Sequence, residues 1–245
     1  RMNFFRRFCF VALFVLILFS AGCSSGDSGD VNPDDVYASA LQDMVSGQWD
    51  SYKAGFPGIK GGLAVRVLSQ KGDYFACADM PVSTNENIHF RAASITKNFT
   101  AAAILLLQQR GLLNIDDKIT ADIPGRTEPY LPDTDDYAVP YKNEITIKQL
   151  LQHRAGIFDV ANDNIPDNLN VPYAGQNYLV YVLKKDPYHT FDVDELAGVV
   201  AVNRLYAGTP GEKFSYSDTG YSLLGKIIER VSGKTFEDFV TENLL

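Results

Sequence analysis

The sequence predicts a mixed α/β (α+β) domain in which a helical region packs on an antiparallel sheet. Three observations carry this. Residues 61–80 alternate like a β-hairpin, residues 95–110 form the most apolar helical run of the chain, and amphipathic helical stretches recur after residue 145. Only two strand-like runs are visible, too few to cover that much helix surface, so the sheet is expected to be incomplete within these 245 residues.

The composition, 46% hydrophobic and 21% charged, is that of a folded globular chain long enough for one large domain or two small ones. Three of the 22 basic residues lie in residues 1–22, which leaves 19 against 30 acids, a net of −11 for the remainder. A surface that acidic argues against nucleic-acid binding, because phosphate backbones are held by Lys and Arg.

Residues 1–22 read as a targeting segment rather than as part of the fold. Arg6 and Arg7 precede an apolar run from Phe8 to Phe19, twelve residues, followed by Ser20, Ala21, Gly22 and Cys23. Twelve residues are too short to cross roughly 30 Å of hydrocarbon as a helix but suit a signal-peptide apolar region. A cysteine directly after Ala-Gly resembles the bacterial lipobox, which would make Cys23 a lipidated first residue of the mature protein, although Ser20 stands where leucine is usual. A plain secretory signal cleaved nearby is the alternative. The lipoprotein reading implies a membrane attachment through an N-terminal lipid anchor and an extracytoplasmic, periplasmic-side place in a bacterial cell envelope. Residues 23–34, rich in Ser, Gly and Asp, then read as a flexible tether, and residues 35–245 as the folded domain. Within that domain Cys77 is alone, so no internal disulfide is available; it is expected buried in a strand, with no chemistry assigned.

Along the domain, Val36, Tyr37, Leu41, Met44 and Val45 follow helical spacing between Asp34 and about Tyr52. G-G-L-A-V-R-V-L-S, the turn K-G-D and Y-F-A-C-A-D-M make the hairpin. The 95–110 helix is apolar on nearly every face and is expected to be buried, with Gly111 ending it. Residues 120–145 are loop-like. Thr146 is placed to cap a short helix closed by Gly156, and residues 160–193 read as a long surface excursion. A helix over 218–231 carries Tyr221, Leu224, Ile228 and Val231 on one stripe before Gly233, and a last helix starts near Thr235.

Chemistry is suggested at two places. In F-R-A-A-S-I-T-K, Ser94 and Lys97 stand three residues apart at a helix start. A serine there lies near free N–H groups and the positive end of the helix dipole, and a lysine one turn on shares its face. Held in an apolar site, such a lysine loses charge stabilisation and becomes a usable base. The spacing also occurs by chance in chains of this length, and an N-capping serine beside a surface lysine would look the same. In P-G-E-K-F-S-Y-S-D-T-G-Y-S-L-L-G, Tyr216, Ser217 and Asp218 open a second amphipathic helix. The histidines, at 89, 153 and 189, form no i, i+4 pair that would suggest zinc, and His153 is read as a packing residue.

F-R-A-A-S-I-T-K with its apolar helix and G-L-L-N-I-D-D, then I-T-I-K-Q-L-L-Q-H-R-A-G-I, then P-G-E-K-F-S-Y-S-D-T-G-Y-S-L-L-G-K-I-I-E, resemble the serine β-lactamases and penicillin-recognising D,D-peptidases, in the same order. Within that superfamily the match is to the class C β-lactamase, D,D-peptidase and carboxylesterase branch, over roughly residues 35–245. The resemblance implies a serine β-lactamase-like fold and a serine hydrolase acting on D-amino acid peptides, β-lactams or small esters, without cofactor or metal. Ser94 would form an acyl-enzyme, Lys97 would take or relay its proton, and Tyr216 would serve leaving group and water. The Ser94 N–H would form half of an oxyanion hole. Asp218 would bind substrate, although the family commonly has asparagine there; a carboxylate favours a protonated Lys97 and hints at esters over β-lactams. The family's Lys-Thr-Gly or His-x-Gly strand has no match here, so the chain is expected to be C-terminally truncated. A non-catalytic relative that binds or senses cell-wall fragments is the competing reading. Oligomeric state is not legible.

Overall fold

The structure, a computed structural model, describes residues 33–245. They fall into two compact units, the first ending at Phe90 and the second spanning Arg91–Leu245. Residues 1–32, which include the stretch read as a targeting segment and Cys23, lie outside the described residues. No helix among the described residues is long and apolar enough to cross a membrane.

The first unit is a helix on a hairpin. α1 (Pro33–Gly55) packs against β2, burying Val45 and Trp49 beside Ala76. Strand β1 (Leu63–Ser69) pairs antiparallel with β2 (Gly72–Ala78), in register from Leu63 opposite Ala78 to Ser69 opposite Gly72. Asp79, just past β2, accepts from Trp49 Nε1 at 2.7 Å and from Lys53 Nζ at 2.8 Å, which ties the helix to the strand end. Cys77 lies in β2 as expected but is only half-buried, because the neighbouring Ala76 takes the fully buried position.

The second unit is helical and has its own core. α2 (Thr96–Gln109) packs against α6 (Asp218–Ser232) and α7 (Phe236–Leu244), while α3 (Ile147–Leu151) and α5 (Val193–Val202) also pack on α6. Fully buried Ile104 and Leu107 of α2 join Leu223, Leu224, Ile227 and Ile228 of α6. The helix ends follow local chemistry. Thr146 and Gln149 form a capping box on α3, Ser217 and Thr235 cap α6 and α7, and Gly233 closes α6 at φ +70.

Three expectations are corrected. α2 is buried on one face only; Leu105 on the other is 50% exposed. The 160–193 segment is not all surface excursion, since it carries α4 (Tyr178–Lys185), capped by Asn177, and buries Ile165. Residues 120–145, read as loop-like, contribute core side chains, Ile123, Tyr130 and Ile145 among them, held by bonds such as Ile119 N–H to Ile145 C=O at 3.0 Å. Helix α5 has no counterpart in the sequence pattern described above. Its Asp192 cap, accepting from Glu195 N–H at 2.7 Å, is a readable start signal. The valines and Gly198 behind it weaken helix propensity, and a Cβ added at Gly198 would lie 3.2 Å from the Asp136 carboxylate.

Candidate active site

Two helix starts within the second unit meet here. The chain enters α2 through a 3-10 turn, Ala93–Ile95, with Ala93 held at φ +46, a conformation few non-glycine residues adopt. Ser94 lies in that turn and Lys97 in the first turn of α2, three residues on and on the same face. The other start is that of α6. Extended Ser217 caps it, its buried Oγ accepting from Gly220 N–H at 3.0 Å, so Tyr216 stands just before the helix and Asp218 in its first turn.

Residue 216 is brought to this place by the loop ahead of it, which is tied to residues 153–156 by backbone hydrogen bonds. Ala207 N–H donates to Gly156 C=O at 2.8 Å, Gly211 N–H to Arg154 C=O at 2.7 Å, and Ser215 N–H to His153 C=O at 2.7 Å. Gly156 permits the approach: its φ is +70, and a Cβ there would meet the Gly208 carbonyl oxygen at 2.0 Å.

Ser94, Lys97, Tyr216 and Asp218 come together. Ser94 Oγ and the Tyr216 hydroxyl oxygen are 2.8 Å apart, and either can donate. Lys97 Nζ reaches Ser94 Oγ at 3.4 Å and forms a short ion pair with Asp218 Oδ1. The ammonium also lies 5.0 Å from the Tyr216 ring centre and 5.6 Å from that of Tyr221, within cation–π range. Asp218 Oδ2 accepts from Asn162 Nδ2 at 2.9 Å.

This environment corrects the expectation that burial lowers the Lys97 pKa and leaves it a free base. Burial does push its pKa down, but the hydrogen bonds and charges of Asp218 and Tyr216 outweigh it, and the net shift is upward. At neutral pH Lys97 is an ammonium. Burial and the Lys97 charge push the His153 imidazole below its ordinary value, so it is neutral at pH 7. His153 Nδ1 accepts from Ser217 N–H at 3.1 Å, which leaves its proton on Nε2. Burial raises the Tyr221 phenol, with Lys97 opposing, and its hydroxyl donates to Leu151 C=O at 2.9 Å.

Sequence reasoning missed Asn162 and Asp159. Nothing local marks them: N-D-N at 162–164 reads as loop, and their partner Asp218 is more than fifty residues away. Cys23, the remaining residue singled out from the sequence, lies outside the described residues.

Comparison with known proteins matches residues 43–245 to the family model Beta-lactamase. Penicillin-binding protein 4* of Bacillus subtilis is 30% identical over 164 residues, covering 67% of this chain and 29% of that protein. Protein flp of Staphylococcus aureus is 31% identical over 182 residues, covering 74% of this chain and 30% of that protein. Among solved structures, a D-stereospecific amidohydrolase from Streptomyces sp. superposes with a TM-score of 0.59 at 23% identity, over 84% of this chain and 53% of that one. The D-amino acid amidase of Ochrobactrum anthropi superposes with a TM-score of 0.55 at 21% identity, over 84% and 50%. Both share the fold. The chain spans about 30% of the length of the curated relatives it matches and about half that of the solved structures. On the family match, which covers most of its residues, the chain belongs to the beta-lactamase family of the serine β-lactamase and penicillin-binding protein superfamily.

Proposed function

We propose that this chain carries the nucleophile of a serine hydrolase that works through an acyl-enzyme on Ser94. The observation that carries the reading is the 2.8 Å contact between Ser94 Oγ and the Tyr216 hydroxyl, with the Lys97 ammonium 3.4 Å from the same Oγ. Because Lys97 is charged and paired with Asp218, Tyr216 is the proton carrier. As Ser94 Oγ bonds to the substrate carbonyl carbon, its proton passes to the Tyr216 oxygen; the bond from that carbon to the leaving nitrogen or oxygen then breaks as the leaving atom takes the Tyr216 proton. Water then attacks the acyl group, and the same hydroxyl takes its proton and returns one to Ser94 Oγ. The Lys97 charge lies beside the developing anions throughout, and the Ser94 N–H at the head of the helix is the reading's first oxyanion donor.

The substrate class is D-amino acid peptides and amides, β-lactams or small esters. Support comes from the family and from relatives named as penicillin-binding proteins and D-amino acid amidases. The Tyr216-Ser217-Asp218 helix start favours the class C-like branch. Asp218 favours esters, since a carboxylate offers no N–H to a substrate carbonyl. We further propose that Cys23 is lipidated and anchors the protein on the extracytoplasmic face of a bacterial envelope; an unchanged mass of the mature protein after Cys23→Ser would dispose of that.

A fluorophosphonate or fluorescent penicillin applied to the full-length protein tests the main reading. Labelling is expected, with loss of the label in Ser94→Ala. Labelling that survives Ser94→Ala refutes Ser94 as nucleophile, and saturable binding of a peptidoglycan peptide without any acylation would make the protein a binding relative.

A further inference from the structure

Resting on the serine-hydrolase reading, we propose that Asp159 is a positioning residue, which sets Lys97 against Ser94 through Asn162 and Asp218. Asp159 is 2% exposed, and among the described residues it forms no ion pair. A buried carboxylate without a cation is costly unless its lone pairs are filled. Here Oδ1 accepts from the N–H groups of Ala161 at 3.1 Å and Asn162 at 3.3 Å, and Oδ2 accepts from Asn162 Nδ2 at 2.8 Å.

The last of these bonds has a consequence at the site. An asparagine amide nitrogen carries two protons. Asn162 Nδ2 gives one to Asp159 and the other, at 2.9 Å, to Asp218 Oδ2. The amide therefore bridges two carboxylates and is held with its nitrogen inward. With Oδ2 occupied, Asp218 presents Oδ1 to Lys97, whose ammonium lies 3.4 Å from Ser94 Oγ. Without Asn162, Asp218, whose side chain is nearly a third exposed, is free to rotate toward water and take the ammonium with it. A buried carboxylate at one end thus holds Lys97 at the other through three side-chain contacts, and it also accepts from the backbone N–H of Asp218 itself.

The swap of the two residues separates this role from simple loop closure. Asp159→Asn turns an acceptor into a donor facing the Asn162 donor, so the contact is lost. Adding Asn162→Asp restores a complementary 159–162 pair but places a second carboxylate against Asp218. If the pair only closed its own loop, the swap would restore activity; if it positions Asp218, the swap stays defective.

Two readouts on the full-length protein test this: the rate of Ser94 acylation by a fluorophosphonate, and the rate at which an amine-reactive reagent modifies Lys97, followed by peptide mass spectrometry. Asp159→Asn and Asn162→Ala are each expected to slow acylation by roughly 3- to 100-fold, with the double variant no slower than the worse single. Each is expected to speed Lys97 modification, and the swap to remain slow in acylation. Asn162 lies on the surface, so Asn162→Ala is not expected to unfold the protein. Unchanged Lys97 reactivity in Asn162→Ala, or full recovery in the swap, overturns the proposal. Should labelling prove independent of Ser94, the hydrolase reading fails alone, because Lys97 reactivity still reports whether Asp159 positions that lysine.

Discussion

The imidazole of His153 lies against the ring of Tyr216, their centroids 4.3 Å apart and their planes 27° apart, while its Nδ1 accepts the N–H of Ser217 at 3.1 Å. One side chain thus supports both the proposed proton carrier and the cap residue of α6. It does so from a left-handed backbone, φ +53.

Replacing His153 by alanine removes the ring contact and strips Ser217 N–H of its partner. The expected loss of stability is about 2 kcal/mol, together with slower acylation because Tyr216 loses its wall. Urea unfolding of wild type and variant measures the first. A change below about 0.5 kcal/mol would show that His153 does not brace the site.

The same residue predicts an acid-side dependence. Burial first, and then the charge of Lys97, hold the folded-state pKa of His153 below its ordinary 6.5. The unfolded chain therefore binds the proton more readily, and stability rises with pH through this window. Melting temperature is expected to be steady above pH 6.5 and to fall as pH drops from there towards about 5. Asp159, pushed up by burial, works in the opposite sense at the lower end. The slope should flatten in His153→Asn, in which an amide that tolerates φ > 0 replaces the titrating ring; an equal slope would remove His153 as its source.

Asp218 is the largest influence raising the Lys97 pKa. In Asp218→Asn that influence is gone and desolvation dominates, which lowers the lysine. The alkaline limb of the acylation rate against pH is then expected to move to lower pH. A limb that stays in place would mean that the rate does not follow the Lys97 charge.

Two glycines give opposite stability expectations. Gly156→Ala drives a Cβ into the Gly208 carbonyl from a left-handed backbone, so a loss of more than about 3 kcal/mol is expected, with little folded protein recovered. Gly225→Ala in α6 meets nothing nearer than Phe236 at 4.0 Å and should stabilise by about 0.5–1 kcal/mol. Thermal melts of the two variants check both signs.

Much of the fold was legible where its cause is local. The Thr146 cap and Gly233 after α6 rest on contacts within four residues, and both are readable from spacing alone; the Gln149 half of the capping box and the Ser217 cap are local too, but only the structure shows them. The hairpin was legible for the same reason. Helix α4 was not, because eight residues in a stretch rich in Asn, Asp, Pro and Tyr hold no long periodicity. The core contribution of residues 120–145 was equally invisible: Leu131 N–H bonds to Ile119 C=O at 3.0 Å and Ile119 N–H to Ile145 C=O at 3.0 Å, pairings that no local pattern encodes.

At the site, the sequence alone determined that Ser94 and Lys97 share one face of a helix start and that Tyr216, Ser217 and Asp218 open another. Those facts follow from the helical repeat and from cap chemistry, which depend only on near neighbours. The tertiary structure decided that the two starts face each other, bringing Ser94 within 2.8 Å of a tyrosine 122 residues away. It also decided that Lys97 is a paired ammonium, and that Asn162 and Asp159 stand behind its partner. A charge state is a balance between lost hydration and nearby charge, and only the folded chain sets both.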